Sequence, residues 1–134
     1  MRYLIKLRGD NRGQALVEFA LALPLLLLLL MAIFEFGNIF HSYLLITTAS
    51  REGARMGVVG QSDNEIIQRV EEICSTLDTN KMTINIEPHD THYRNRGVPL
   101  TVEVDYQNYL ITPLLSTFLP DPLTLRARSI MRIE

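Results

Sequence analysis

Residues 19–34 read FALALPLLLLLLMAIF, sixteen apolar positions without a charge. A membrane-spanning helix rises ~1.5 Å per residue and needs ~20 apolar residues. The bare run is slightly short, and residues 14–36 reach the length only by including Glu18. A carboxylate at the centre of a bilayer costs ~2.5–3.5 kcal/mol, less near the interface, and usually marks function. Pro24 inside the run predicts a kink or a locally melted turn. Beyond Phe36, the residues Ile39, Phe40, Tyr43, Leu44, Ile46 and Thr47 keep an apolar stripe at three-to-four spacing. ASREGAR at 49–55 then adds small residues and three charges, and Gly57 and Gly60 supply stop signals. The pattern predicts one helix from about residue 15 to about residue 57. Its first half lies in lipid and its second half is amphipathic.

A second helix starts where Ser62, Asp63, Asn64 and Glu65 form a capping box. Ile66, Ile67, Val70, Ile73, Cys74 and Leu77 make its apolar face, and it is expected to end near residues 78–80. Period-two alternation then takes over. Met82, Ile84 and Ile86 form one set, Val102, Val104 and Tyr106 a second, and Leu123, Leu125, Ala127, Ser129, Met131 and Ile133 a third. PHDTHYRNRG at 88–97 reads as a polar turn. LITPLLSTFLPDP at 110–122 carries three prolines and reads as a loop tucked onto the core. The fold class is α+β: a long N-terminal transmembrane helix extending into an amphipathic helix, then a small domain with one helix and a three-stranded antiparallel sheet.

Composition sharpens this picture. The chain has 134 residues, room for one small domain plus an appendage. A hydrophobic content of 47% with 21% charged residues excludes a disordered chain. The net charge of −2 argues against a broadly basic nucleic-acid binder. The single cysteine, Cys74, excludes an internal disulfide or a multi-cysteine zinc site, and its place on an apolar face makes it a small core residue. The charges are unevenly spread. Arg2, Lys6, Arg8 and Arg12 against Asp10 give residues 1–13 a net +3, while nine basic and fourteen acidic side chains give the rest −5. A basic segment directly before an apolar run keeps the N-terminus cytoplasmic and sends the chain beyond the run to the outer side. The expected organisation is a leader over 1–13, a transmembrane and extended helix over 14–60, and an exported α+β domain over 61–134.

Arg12-Gly13-Gln14-Ala15-Leu16-Val17-Glu18-Phe19 stands at the head of the apolar run. Gly, four residues, Glu and an aromatic, set between a basic leader and an apolar helix, is a specific arrangement. With Glu35-Phe36-Gly37 and Ala49-Ser50-Arg51-Glu52-Gly53-Ala54-Arg55, it resembles the TadE-like minor pilins (pseudopilins) of the tight-adherence Flp pilus system over residues 12–55. The resemblance implies cutting between Gly13 and Gln14 by a prepilin peptidase. It also implies that Glu18 neutralises the new amino group of a neighbouring subunit and that the protein supports assembly of an adhesive pilus. Glycine before the scissile bond suits an extended approach to a crowded active site. Gln14 stands where the broader type IV pilins favour an aromatic, which points to the tight-adherence branch. The length points to a minor subunit, since the major Flp pilin is little more than a helix.

The implied partners are the prepilin peptidase, other pilin and pseudopilin subunits with their assembly machinery, and membrane lipid, without nucleic acid. The implied location is the bacterial inner membrane. Gly13, Gln14, Glu18 and Phe19 are the processing and assembly candidates. Glu35, Arg51, Gly53, Arg55 and Gly57 are candidate helix contacts, with a solvated helix-end charge weighed for Glu35 and a small-x3-small approach for the glycines. His89 and His92 with Asp90 have metal-ligand spacing but lack an evident fourth ligand, and a surface loop is the plainer reading. Neither a nucleophile elbow nor a phosphate loop occurs, so an enzyme is not expected, nor a metal or cofactor. Three alternatives stay open: a cleaved secretory signal, an unprocessed signal-anchored scaffold or binding module, and an anchored metal-dependent hydrolase.

Overall fold

The computed structural model describes residues 11–89, 91–113, 115–117 and 119–133. The basic leader up to Asp10 lies outside the described residues, as does Asp90 of the candidate metal set. The fold is α+β. Helix α1 (Asn11–Val58) is followed by α2 (Asp63–Ile73) and three strands, β1 (Met82–Glu87), β2 (Pro99–Asn108) and β3 (Leu123–Arg132). The strands form an antiparallel sheet in the order β1-β2-β3.

The 48 residues of α1 remain helical through Pro24, so the melted turn expected there does not occur. Proline removes one donor and crowds one carbonyl, a local loss within a helix about 70 Å long. The helix ends in a Schellman arrangement. Gly60 adopts φ +90, its N–H donates to the Gly57 carbonyl, and the Gln61 N–H donates to that of Met56. The Ser62–Glu65 capping box then starts α2: the Ser62 N–H donates to Glu65 Oε2 at 2.8 Å and the Glu65 N–H donates to Ser62 Oγ at 3.4 Å. That helix stops at Ile73, short of the expected 78–80. A tight turn ends it, with the Leu77 N–H donating to the Cys74 carbonyl, while Asp78 caps a separate 3-10 turn through the Asn80 N–H. Asp78 terminates nothing; it initiates the turn that aims the chain into β1.

The core lies between the inner face of the sheet and the second half of α1, with α2 closing one side. Leu100, Val102, Val104 and Tyr106 of β2 form its centre, flanked by Ile86, Leu125 and Ala127, and covered by Ile66, Val70 and Cys74 of α2. From α1 come Ile46, Ala49 and Ala54. Thus the core of the 61–134 region includes residues from α1. The apolar stripe read along α1 needs correction. Phe40, Tyr43 and Leu44 point outward and are exposed, whereas Ser42, Ile46, Ala49, Ser50, Gly53, Ala54 and Gly57 face inward. A helix that lies this close to a sheet presents mostly small side chains, and Ile46 is the large one it buries fully. The loop at 110–122 is also different: none of its described residues joins the core.

Burial pushes the Cys74 thiol up to about 11, from an ordinary value near ~8.5. The folded state therefore holds its proton more tightly than the unfolded state. The contribution is fully present below about pH 8.5 and is lost as the pH rises through about 11. Denaturant midpoints of the wild type are expected to fall more steeply across that window than those of Cys74→Ala. A thiol reagent at pH 8 is expected to modify only the unfolded chain. Rapid labelling of the native protein at that pH would contradict the placement.

Candidate functional site

Three parts of α1 hold the sequence-identified candidates on this helix: its first two turns, the level of Glu35, and the stretch from Arg51 to Gly57. At the head, Gly13 and Gln14 lie within the first turn of the helix. A cut between them needs that turn to open. Helix ends fray readily, and glycine is ~1 kcal/mol less favourable than alanine in a helix. Nothing packs within 4 Å of a Cβ built on Gly13. Glu18 stands one turn on, where Gln14 Nε2 donates to its Oε1 at 3.0 Å. Phe19 is exposed, and so are the large apolar residues from Leu16 to Phe34. The apolar part of the helix reaches a mean hydropathy of 2.7 and buries none of it against the rest of the chain. An exposed apolar surface of this length is a candidate single-pass membrane anchor.

Glu35 directly follows this stretch, and exposed apolar residues continue beyond it at Phe36, Phe40, Tyr43 and Leu44. The Glu35 side chain is 1% exposed. Oε1 accepts from the Ile111 N–H at 3.0 Å, and Oε2 accepts from the N–H groups of Ile111 at 3.1 Å and Thr112 at 2.8 Å. Among the described residues it forms no ion pair. The solvated helix-end charge weighed for Glu35 is therefore replaced by an internal clasp. Two backbone donors from the loop after β2 satisfy the carboxylate, as a buried charge requires.

The other helix-contact candidates divide by face. Gly53 and Gly57 face inward. A Cβ on Gly53 would lie 3.1 Å from Val70 Cγ2 and 3.3 Å from Val102 Cγ1, and one on Gly57 would lie 2.1 Å from Leu100 Cδ2. The small-x3-small approach is made within the chain, to α2 and β2. Arg55 faces outward and holds Glu52 through two hydrogen bonds, at 2.7 and 3.0 Å. This pairing stabilises the Glu52 carboxylate and holds it below its ordinary range. Arg51 is exposed.

Farther up, Ser42 Oγ donates to Asn108 Oδ1 at 3.5 Å, and Ser50 Oγ lies 3.0 Å from Ser129 Oγ. These polar residues tie α1 to β2 and β3 inside the core. Arg94 was not foreseen from the sequence. Its side chain is 3% exposed, donates to the Pro88 and Gln61 carbonyls, and pairs with Asp63. It pins the 88–97 turn to the start of α2. Partners some thirty residues away give no sequence signal, and a lone arginine in a polar turn reads as solvated.

His89 lines an open polar hollow on the outer sheet face with Glu87, Glu103 and Arg128. His92 lies exposed on a 3-10 turn. Among the described residues no group of three His, Cys, Asp or Glu side chains is placed to hold a metal ion.

Residues 13–55 match the family of TadE-like proteins. The match starts at Gly13 and ends at Arg55, so it covers most of α1 and stops before α2 and the sheet. No curated protein and no solved structure matches the chain.

Proposed function

We propose, from the TadE-like segment over residues 13–55, that the chain is a pilin-like minor subunit of a tight-adherence pilus, made with a leader that a prepilin peptidase removes after Gly13. The observation that carries this reading is the position of Gly13, Glu18 and Phe19 at the head of an exposed apolar helix. The basic residues before that helix hold the N-terminus in the cytoplasm of the inner membrane and send the sheet domain outward.

The chemistry arises in the first two turns. Removal of the leader creates an α-amino group on Gln14, one turn from Glu18. In lipid, a lone carboxylate and a lone ammonium are each costly, and pairing them removes much of that cost. A neighbouring subunit whose ammonium meets Glu18 is thereby recruited and set in register. The apolar helix then associates through lipid, and the domain beyond Glu35 is presented to other pilus proteins. The protein acts as a structural subunit, a substrate of the peptidase and not a catalyst.

Intact mass and N-terminal sequencing of the protein from its native membrane test this. A wild-type chain starting at Gln14, with Gly13→Val retained at full length, is the expected result. A wild-type chain still carrying its leader in cells with an active prepilin peptidase would overturn the reading and leave an unprocessed signal-anchored module. Glu18→Ala is expected to be cut but to co-purify with fewer pilus subunits.

A further inference from the structure

We propose that the loop after β2 is a second membrane contact: Ile111 and Pro113, on the loop whose Ile111 and Thr112 N–H groups Glu35 clasps, rest in the interfacial layer of the bilayer that α1 crosses. This inference rests on the membrane-spanning reading of α1.

Matched lengths are the first support. β2 runs antiparallel to the upper half of α1, with Leu100 against Gly57, Val102 against Gly53, and Asn108 against Ser42. From Gly57 back to Glu35 the helix descends 22 residues, about 33 Å at ~1.5 Å each. From Leu100 to Ile111 the chain advances 11 residues, about 36 Å at ~3.3 Å each. The extended chain therefore returns to the level of Glu35, where the hydrogen bonds from Ile111 and Thr112 hold it.

A span counted from Ala15 puts that level at the bilayer boundary. Ala15 to Phe34 is 20 helical residues, about 30 Å, the thickness of the hydrocarbon layer. Glu35 is the next residue. At this level Ile111 is 72% exposed and shares an apolar hollow of about 280 Å³ with Met31, Phe34 and Pro113. The hollow is continuous with the apolar helix surface, so acyl chains that cover Met31 and Phe34 also reach Ile111.

The same end of the sheet carries a pair suited to the headgroup layer. Lys81 Nζ lies 4.5 Å over the ring of Tyr109, which is half exposed. Tyrosine and lysine at a membrane edge place an apolar body at the boundary and a polar tip in water. The occupant is therefore lipid at the acyl–headgroup boundary. A second contact beside the helix restrains the domain against tilting and rotating about its anchor.

The test places an environment-sensitive fluorophore at single cysteines in the full-length Cys74→Ala protein, in nanodiscs of phosphatidylethanolamine and phosphatidylglycerol. Ile33→Cys reports the span, Ile111→Cys the loop, and Ile130→Cys the exposed outer sheet face. The expected result at Ile111 is blue-shifted emission, quenching by brominated acyl chains and protection from iodide, as at Ile33 and unlike Ile130. Adding Glu35→Ala is expected to shift Ile111 towards the behaviour of Ile130. A lipid-facing Ile33 with a water-exposed Ile111 would overturn the second contact alone. A water-exposed Ile33 would overturn the membrane-spanning reading and the loop contact with it.

Discussion

Gly57→Val is expected to destabilise the fold of α1, α2 and the sheet by about 3 kcal/mol, a large fraction of the ~5–15 kcal/mol typical of a domain. Even the first added carbon would stand 2.1 Å from Leu100 Cδ2 and 3.1 Å from Ile66 Cδ1. Both neighbours are fully buried, so neither can swing into water. Leu100→Ala alone is expected to cost a further ~2–5 kcal/mol through its cavity. Combined, the two changes complement each other in space, and the double variant is expected to recover at least ~1 kcal/mol relative to the sum of the single effects. Chemical denaturation of the full chain in detergent, followed by near-ultraviolet dichroism, measures all three. Strict additivity would mean that Gly57 and Leu100 do not meet. Gly37→Ala is the control: nothing lies within 4 Å of its Cβ position, and the gain in helix propensity is ~1 kcal/mol.

Glu35→Ala is expected to cost about 3 kcal/mol and to act locally. Hydrogen bonds to a charged acceptor contribute ~1.5–3 kcal/mol each, and truncation leaves two backbone donors without their partner. Amide hydrogen exchange is the sensitive readout. Protection at Ile111 and Thr112 is expected to fall to that of an open loop, while Val102 and Val104, in the centre of the sheet, stay protected. Glu35→Gln keeps one acceptor oxygen and is expected to lie between. Unchanged protection at Ile111 and Thr112 in Glu35→Ala would show that the clasp does not hold the loop.

Much of the architecture was legible because it is local. The Ser62–Glu65 box set the start of α2, and alternation of apolar residues set three strands, which pair antiparallel in chain order. The apolar run set the long helix, and the Gly13, Glu18 and Phe19 register carried the resemblance that the match over residues 13–55 supports. Where local signals compete, sequence reading failed. Leu77 continues the apolar face of α2, yet a tight turn closed by the Leu77 N–H and the Cys74 carbonyl ends the helix before it. The 110–122 stretch is apolar enough for a core loop, yet a backbone clasp to Glu35 places its start outside the core.

By itself the sequence determined where this chain is apolar and on what period: a helix long enough to cross a membrane, a basic segment before it, one capped helix and three alternating strands. Those properties belong to neighbouring residues, and neighbouring residues are what a period records. Only the tertiary structure decided which side of α1 faces the sheet. The large residues Phe40, Tyr43 and Leu44 look like part of the packing face, but Ile46 with the glycines, serines and alanines makes it. Close approach of a helix to a sheet rewards small volume over apolar area. Tertiary structure likewise gave Glu35 its partner, because the donors are backbone N–H groups 76 and 77 residues away. Backbone donors are present in every residue but proline, so no side-chain pattern could single them out.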